Sequence, residues 1–389
     1  MIHGYRNFLT AKIRSGFKRR NTYIQANHIC SKVVKEGTHV LFLHFGLPRT
    51  EFYAKEFLRK SAAVYYQIPK KMEKFIPSAL MVSGKVRDCI AKYGDSRAIE
   101  DSLSSFAGRV QSYLNTLVPE FDPVTCSNAF LFDEPSIEQE LINVGRSGCS
   151  HIVLVPFYAH FSCAHSGFLL NETARVLQKF TKPAFLNGKE VHYERIVPNS
   201  SNSFHVSVLH RWSSHSVVSE RGYNSKDHRR SVWSTCERVM SGLNDRFPWR
   251  LGFFNAWDQW DLPVGDSLAM QVRLYFCCIH FRAVELPTGK RIAIVPISSL
   301  LPDFDTLSVL PSITQSSDKS ILIQPEGGDA VLLEGVAEAI KNHLLGRRSA
   351  QLRSRCNWCR NRHCEEMRAM LDDTNVPYFE LNLSQDYSD

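Results

Sequence analysis

The chain has 389 residues, 43% of them hydrophobic and 22% charged, with a formal net charge of +8 at pH 7. That length accommodates two domains and a large apolar core, and no uninterrupted apolar run reaches the roughly 18 to 20 residues of a membrane-spanning helix. So small a positive excess, concentrated at the start of the chain, argues against nucleic acid as a partner and is compatible with peripheral contact at a membrane surface.

Between Met1 and Lys35 there is no Asp or Glu, while Arg6, Lys12, Arg14, Lys18, Arg19, Arg20, Lys32 and Lys35 alternate with Ile2, Phe8, Leu9, Ile13 and Phe17. Residues 1–37 therefore read as a basic mitochondrial presequence or a disordered basic tail. Thr38–Phe45, THVLFLHF, is the first buried strand, turned by Gly46-Leu47-Pro48. Helical spacing follows over residues 51–66, then a strand at 78–82 and an amphipathic helix over 102–117. A short strand is expected at 129–132, and Pro135-Ser136-Ile137-Glu138 opens a helix with proline in its first turn.

His151–Gly167, HIVLVPFYAHFSCAHSG, pairs a β-branched run with Val-Pro and a polar loop, and Arg291–Leu307, RIAIVPISSLLPDFDTL, repeats that grammar. Apolar runs without alternation are the mark of parallel strands covered on both faces, and proline ends the ladder. A helix runs from Gly167 to about Phe180, and residues 181–203, polar and rich in turn formers, read as a linker. A second series follows: a strand at 204–209, a helix over 225–243, a strand at 250–255, a helix over 266–281, the strand after Arg291 and a helix over 329–345. The alternation predicts an α/β chain of two similar Rossmann-like halves, 38–180 and 204–345, with parallel four-stranded sheets whose strand ends face a common cleft. A basic, cysteine-bearing tail occupies 346–389. Eleven cysteines at scattered positions, without a secretory h-region, read as reduced buried thiols outside that tail.

The order of VLFLHFGLP, PSIEQELINVGRSGCSHIVLVPFYAHFSCAHSGFLLN, SVVSERG and VPISSLLPDFDTL resembles that of the ferrochelatase family, of the animal type with a cysteine-bearing tail. The likeness runs from about Thr38 to Cys364. It implies chelatase-type halves, ferrous iron and protoporphyrin as substrates, a homodimer, and a place on the matrix side of the mitochondrial inner membrane. Metallation must remove two pyrrole N–H protons as a divalent cation arrives, so it calls for a base of near-neutral pKa and a carboxylate relay. Counting back without gaps from Arg221-Gly222 puts Trp212 at the family's base; a three-residue gap puts His215 there. The ungapped register keeps residues 204–209 in the strand and is preferred, whereas His215 also fits an ordinary polar loop. The family's His-x-Glu falls on Asp303-Phe304-Asp305. Asp305 keeps a carboxylate one methylene short, and a misplacement of about 1 Å can cost ~100-fold; Asp303 cannot act as a neutral imidazole and also fits a helix N-cap. Leu131, in Phe130-Leu131-Phe132, takes the place of an arginine suited to a porphyrin propionate. Trp212, Leu131 and Phe304 are thus expected to line the cleft.

Cys356, Cys359 and Cys364 have the spacing that the family uses for three of the four thiolates of a 2Fe-2S cluster, with zinc as the alternative occupant. The region that would bring the fourth thiolate, residues 172–203, has no cysteine. The resemblance and its departures imply a catalytically impaired ferrochelatase-like protein that binds porphyrin or heme. An active ferrochelatase using His215 as base and Asp305 as relay is the second reading, and a structural or dimerisation partner the third.

Overall fold

The computed structural model describes residues 37–56, 84–121, 123–160, 163–180, 185–186, 189–190, 203–209, 226–244, 246, 292–297, 300–303, 306–307, 310–311, 320–325, 329–345 and 378–380. In chain order the strands are β1 (Thr38–His44), β2 (Val124–Phe130), β3 (His151–Pro156), β4 (Phe185–Leu186), β5 (Lys189–Glu190), β6 (Ser203–Val208), β7 (Ile292–Ile294), β8 (Ser320–Leu322) and β9 (Tyr378–Glu380). The helices are α1 (Gly84–Tyr93), α2 (Ala98–Leu117), α3 (Ile137–Arg146), α4 (Phe168–Phe180), α5 (Lys226–Gly242) and α6 (Ala330–Leu344). The class is α/β, built on a sheet of order β2-β1-β3-β6-β9 in which the first four strands are parallel and β9 is antiparallel.

β1 is buried at every position, and its side chains serve two cores in alternation. Val40 and Phe42 join one apolar cluster, Leu41 and Leu43 the other, as the period of two demands. The first core is closed by α2, whose Ile99, Leu103, Phe106, Val110 and Leu114 recur at helical spacing, and by α6 through Leu333, Val336, Ile340 and Leu344. At its centre Phe42, Phe106 and Phe157 meet edge to face, with ring centroids 5.0 to 5.8 Å apart. The second core is closed by α3 and α4.

Strand order explains where a site belongs. The chain leaves β1 for β2 on one side and returns past it to β3 on the other, so the helix after β1 and the helix after β3 cover opposite faces. Strand order reverses between β1 and β3, and open α/β sheets take ligands beyond the carboxyl ends of their strands at such a point.

Several expectations are corrected. The strand expected to start the second half, β6, extends the first sheet beside β3, and α6 packs on α2 over that sheet. The described part of the expected second sheet is the parallel pair β7 and β8. Within the expected linker, β4 and β5 form a hairpin. β2 begins at Val124, five residues before the strand expected at 129. Its polar start is tolerated because this is an edge strand: the amides of Val124 and Cys126 donate to Asn115 Oδ1 (3.1 Å) and Gln111 Oε1 (2.8 Å) of α2. Pro135 lies outside α3, whose N-cap is Ser136, its side chain accepting from Gln139 N–H. The helical turn over residues 51–56 is the described start of the helix expected to reach 66. The presequence, the strands at 78–82 and 250–255 and the helix over 266–281 lie outside the described residues.

The Gln111 and Asn115 contacts act as edge protection, since they occupy donors that a second strand would otherwise use. Gln111→Ala with Asn115→Ala is expected to lose about 1 kcal/mol per bond and to aggregate at lower concentration. Urea melts and light scattering read both, and unchanged values would show that these bonds do not guard the edge.

Candidate functional site

His44 is the last residue of β1 and only 1% exposed. Its ring lies flat on Tyr158, with centroids 5.3 Å apart at 12°, and meets Phe130 edge-on. Nδ1 accepts the Gly46 N–H at 3.1 Å, so the neutral ring carries its proton on Nε2. Burial lowers the His44 pKa from 6.5 to about 4; Asp303 opposes that shift and the His165 ring adds to it. Burial therefore favours the neutral ring of His44, and its acceptor nitrogen is already engaged by Gly46. His165, in the wide turn Cys163–Gly167 that leads into α4, completes the cluster. Its ring is 4.9 Å from Tyr158 and stacks on Phe45 at 5.8 Å and 27°.

Asp303 reaches this mouth because its segment is pinned to the first core. Leu301 is fully buried, with Leu300 and Leu307 packed beside it. The Asp303 amide donates to Thr306 Oγ1 at 2.7 Å, and the Thr306 amide donates back to Asp303 Oδ1 at 2.9 Å. This is a reciprocal cap for the turn that follows, and one carboxylate oxygen is thereby committed to structure.

The rim is set by Asp133, 4% exposed, in the loop after β2. Its Oδ2 accepts from Leu47 N–H at 3.4 Å, while Oδ1 accepts from Glu134 N–H at 2.9 Å and from Arg49 Nε. Arg49 Nη2 also reaches Glu100 Oε2 at 3.4 Å. Gly46, at φ +74°, is required here twice over: a Cβ would meet a disfavoured backbone and collide with Asp133 Cβ. The loops after β1 and β2 are thus zipped together, Leu131 N–H and Phe132 N–H donating to the carbonyls of His44 (3.0 Å) and Phe45 (2.9 Å). Leu131 is half-buried against the second core.

Of the residues singled out by sequence, the structure places Asp303 and Leu131 at this mouth. His215, Trp212, Phe304, Asp305, Cys356, Cys359 and Cys364 lie outside the described residues. Sequence reasoning passed over His44, Tyr158 and His165. The available signal was positional, because His44 ends the strand directly after the apolar run Val40–Leu43, at the carboxyl end of a buried parallel strand. Burial pushes the Cys149 thiol up to about 11 and raises that of Cys126 further, so neither offers a thiolate. Among the described residues, no group of three or more His, Cys, Asp or Glu is placed to hold a metal ion, and no helix is long and apolar enough to cross a membrane.

No family model matches the chain. Over 281 residues it is 23% identical to the mitochondrial ferrochelatase of Schizosaccharomyces pombe, an alignment that takes in 65% of this chain. The chain spans 63% of the length of that curated relative. The solved structure of SirB from Bacillus subtilis with Fe3+ aligns with 81% of this chain and 98% of its own, at 11% identity and a TM-score of 0.39. That likeness is too loose to bear on the site.

Proposed function

From the sequence likeness to a ferrochelatase, we propose that this protein is a chelatase-like protein that binds porphyrin or heme at the carboxyl ends of β1 and β3, with iron insertion impaired. The observation that carries the reading is the sequence likeness itself, on a parallel sheet whose strand order reverses between β1 and β3.

Impairment follows from proton chemistry. A pyrrole N–H needs an acceptor whose pKa lies near the working pH. His44 has a pKa of about 4 and its Nδ1 is engaged by Gly46, while Asp303 caps its own turn. In the ungapped register Trp212 stands at the base position, and an indole cannot accept a proton near neutral pH. Loss of a general base costs on the order of 10² to 10⁴ in rate, and Asp305 and Leu131 add to the loss. The same reading places the protein in mitochondria, on the matrix side of the inner membrane, as a homodimer whose Cys356, Cys359 and Cys364 hold a 2Fe-2S cluster or zinc.

Purified protein is expected to quench protoporphyrin fluorescence on binding, yet to insert ferrous iron anaerobically no faster than the solution background. Trp212→His with Asp305→Glu is expected to raise turnover. The second reading, an active ferrochelatase with His215 as base, wins if wild-type protein turns over and His215→Ala abolishes it.

A further inference from the structure

β6 opens the stretch 203–344 and α6 closes it, and both are tied to β3 through one hydroxyl. Ser207 Oγ of β6 lies 2.8 Å from His151 Nε2 of β3 and 2.8 Å from His343 Nε2 of α6. All three side chains are buried, and the His205 ring stands edge-on to His151 with centroids 4.7 Å apart. A hydroxyl has one hydrogen, and among the described residues Ser207 Oγ has these two imidazoles as its partners. It donates to one ring and accepts from the other, so one Nε2 carries a proton and the other a lone pair.

This chain accepts one added proton and refuses a second. A single imidazolium still donates to the hydroxyl, which still donates to the neutral ring. With both rings charged, both would donate, the hydroxyl hydrogen would lose its acceptor, and two cations would face each other across one oxygen. The surroundings do little to offset such a pair. Beside His151, β1 places Thr38, and β9 places Tyr378 opposite His205 and Glu380 opposite Ser203, four residues or about 13 Å along β6 from Ser207. In the last two turns of α2 the ionisable side chain is Tyr113, which is exposed, and on α6 Glu338 pairs with Lys341 at 3.2 Å. The carbonyl end of α6 favours a cation at His343, which is the one proton the chain tolerates.

We propose that His151, Ser207 and His343 form an acid-operated latch, which holds α6 on the first sheet and releases it when both histidines take up protons. Release bares the apolar face that Leu333, Val336, Ile340 and Leu344 bury in the first core. In water each histidine titrates near 6.5, so the open latch binds at least one proton more than the closed one below that pH. Acidification therefore favours opening, by about tenfold or more between pH 7.5 and 5.5. The device belongs to the fold and is independent of which ligand the protein takes.

Amide hydrogen exchange of the full-length protein tests this at pH 7.5 and 5.5, with rates converted to protection factors so that the intrinsic pH dependence of exchange cancels. The amides of α6 should be less protected than those of β1 at both values, the mark of an opening smaller than global unfolding, and should lose about tenfold or more on acidification. His343→Leu keeps an apolar contact and cannot charge, while His343→Gln keeps a partner for Ser207 without a titrating group. Either should reduce the α6 loss to about twofold or less and leave the acid response of β1 in place. Ser207→Ala should raise the opening of α6 about fivefold or more at pH 7.5. His160→Gln, at a buried histidine joined to Thr235 of α5 instead, should leave the α6 loss as it is. The proposal is overturned if α6 is as protected as β1 at both pH values, if its opening ignores pH, if the loss persists in full without His343, or if Ser207→Ala changes nothing. Far-UV circular dichroism at pH 7.5 shows which variants fold, and either His343 variant carries the test alone.

Discussion

Asp133→Ala is expected to destabilise the protein by about 2 to 4 kcal/mol, since each buried amide left without its acceptor costs about 1 to 3 kcal/mol. The reasoning starts from burial: the side chain is 2% exposed, and Arg49 Nε and the amides of Leu47 and Glu134 donate to it. Alanine would strand those two amides and leave a void against Gly46, which approaches Asp133 too closely to carry a Cβ. Arg49, with 23% of its side chain exposed, can turn to water and keep Glu100. Most of the loss should therefore come from the amides and the cavity. Arg49→Met is accordingly expected to cost less than Asp133→Ala, and Asp133→Asn to fall between them. Urea denaturation measures all three, and a loss under about 1 kcal/mol in Asp133→Ala would mean that the carboxylate does not organise this rim. Because the loops it zips carry His44, Phe45 and Leu131, the same variant should also weaken binding at the mouth.

Stability is expected to fall steeply as the solution is acidified below about pH 6.5, because two histidines fold in the neutral state. His39 and His44 each drop from 6.5 to about 4, chiefly through burial. In the unfolded chain both bind protons near 6.5, whereas the folded protein resists until about 4. Between those values the unfolded state holds more protons, so stability rises with pH, is complete above 6.5 and is lost toward 4. The full effect is about 3 kcal/mol per histidine, with about 1 kcal/mol of each already gone at pH 5.5. The two differ in detail. His39 has Thr125 Oγ1 at 2.7 Å and Ser127 Oγ at 2.8 Å, hydroxyls that can accept from an imidazolium. His44 would present a second donor to the Gly46 amide. Urea melts at pH 7.5 and 5.5 should show the loss, and His44→Phe, which keeps a ring on Tyr158, should remove about half of it. A stability independent of pH over that interval would contradict the buried neutral state.

Much of the architecture was legible because it is local. β1 and β3 announce themselves as largely apolar runs without alternation, and α2, α4 and α6 as periodic ones, since a side chain's face follows from its place in a repeat. The start of β2 was not legible. Thr125-Cys126-Ser127 carries little strand signal, and what makes it a strand is pairing with β1 and the side chains of Gln111 and Asn115. The helix start was misjudged by two residues, since Ser136 caps and Ile137 begins the helix where Pro135 was expected to begin it. Asp303 was recognised as either a catalytic carboxylate or a cap, and only Thr306, pinned by the core, resolves that it caps.

By itself the sequence determined the α/β class, most of the described strands and helices, and the likeness to a ferrochelatase. Tertiary structure alone decided that β6 and α6 belong with the first sheet, and that His44, Tyr158, His165 and Asp303 share one mouth. The reason is that periodicity records which face of an element is apolar and not which apolar surface covers it, a choice made by competition among surfaces far apart in the chain. His44 shows the consequence: its charge state depends on burial, and the groups that bury it come from the ends of three strands and a segment some 260 residues away.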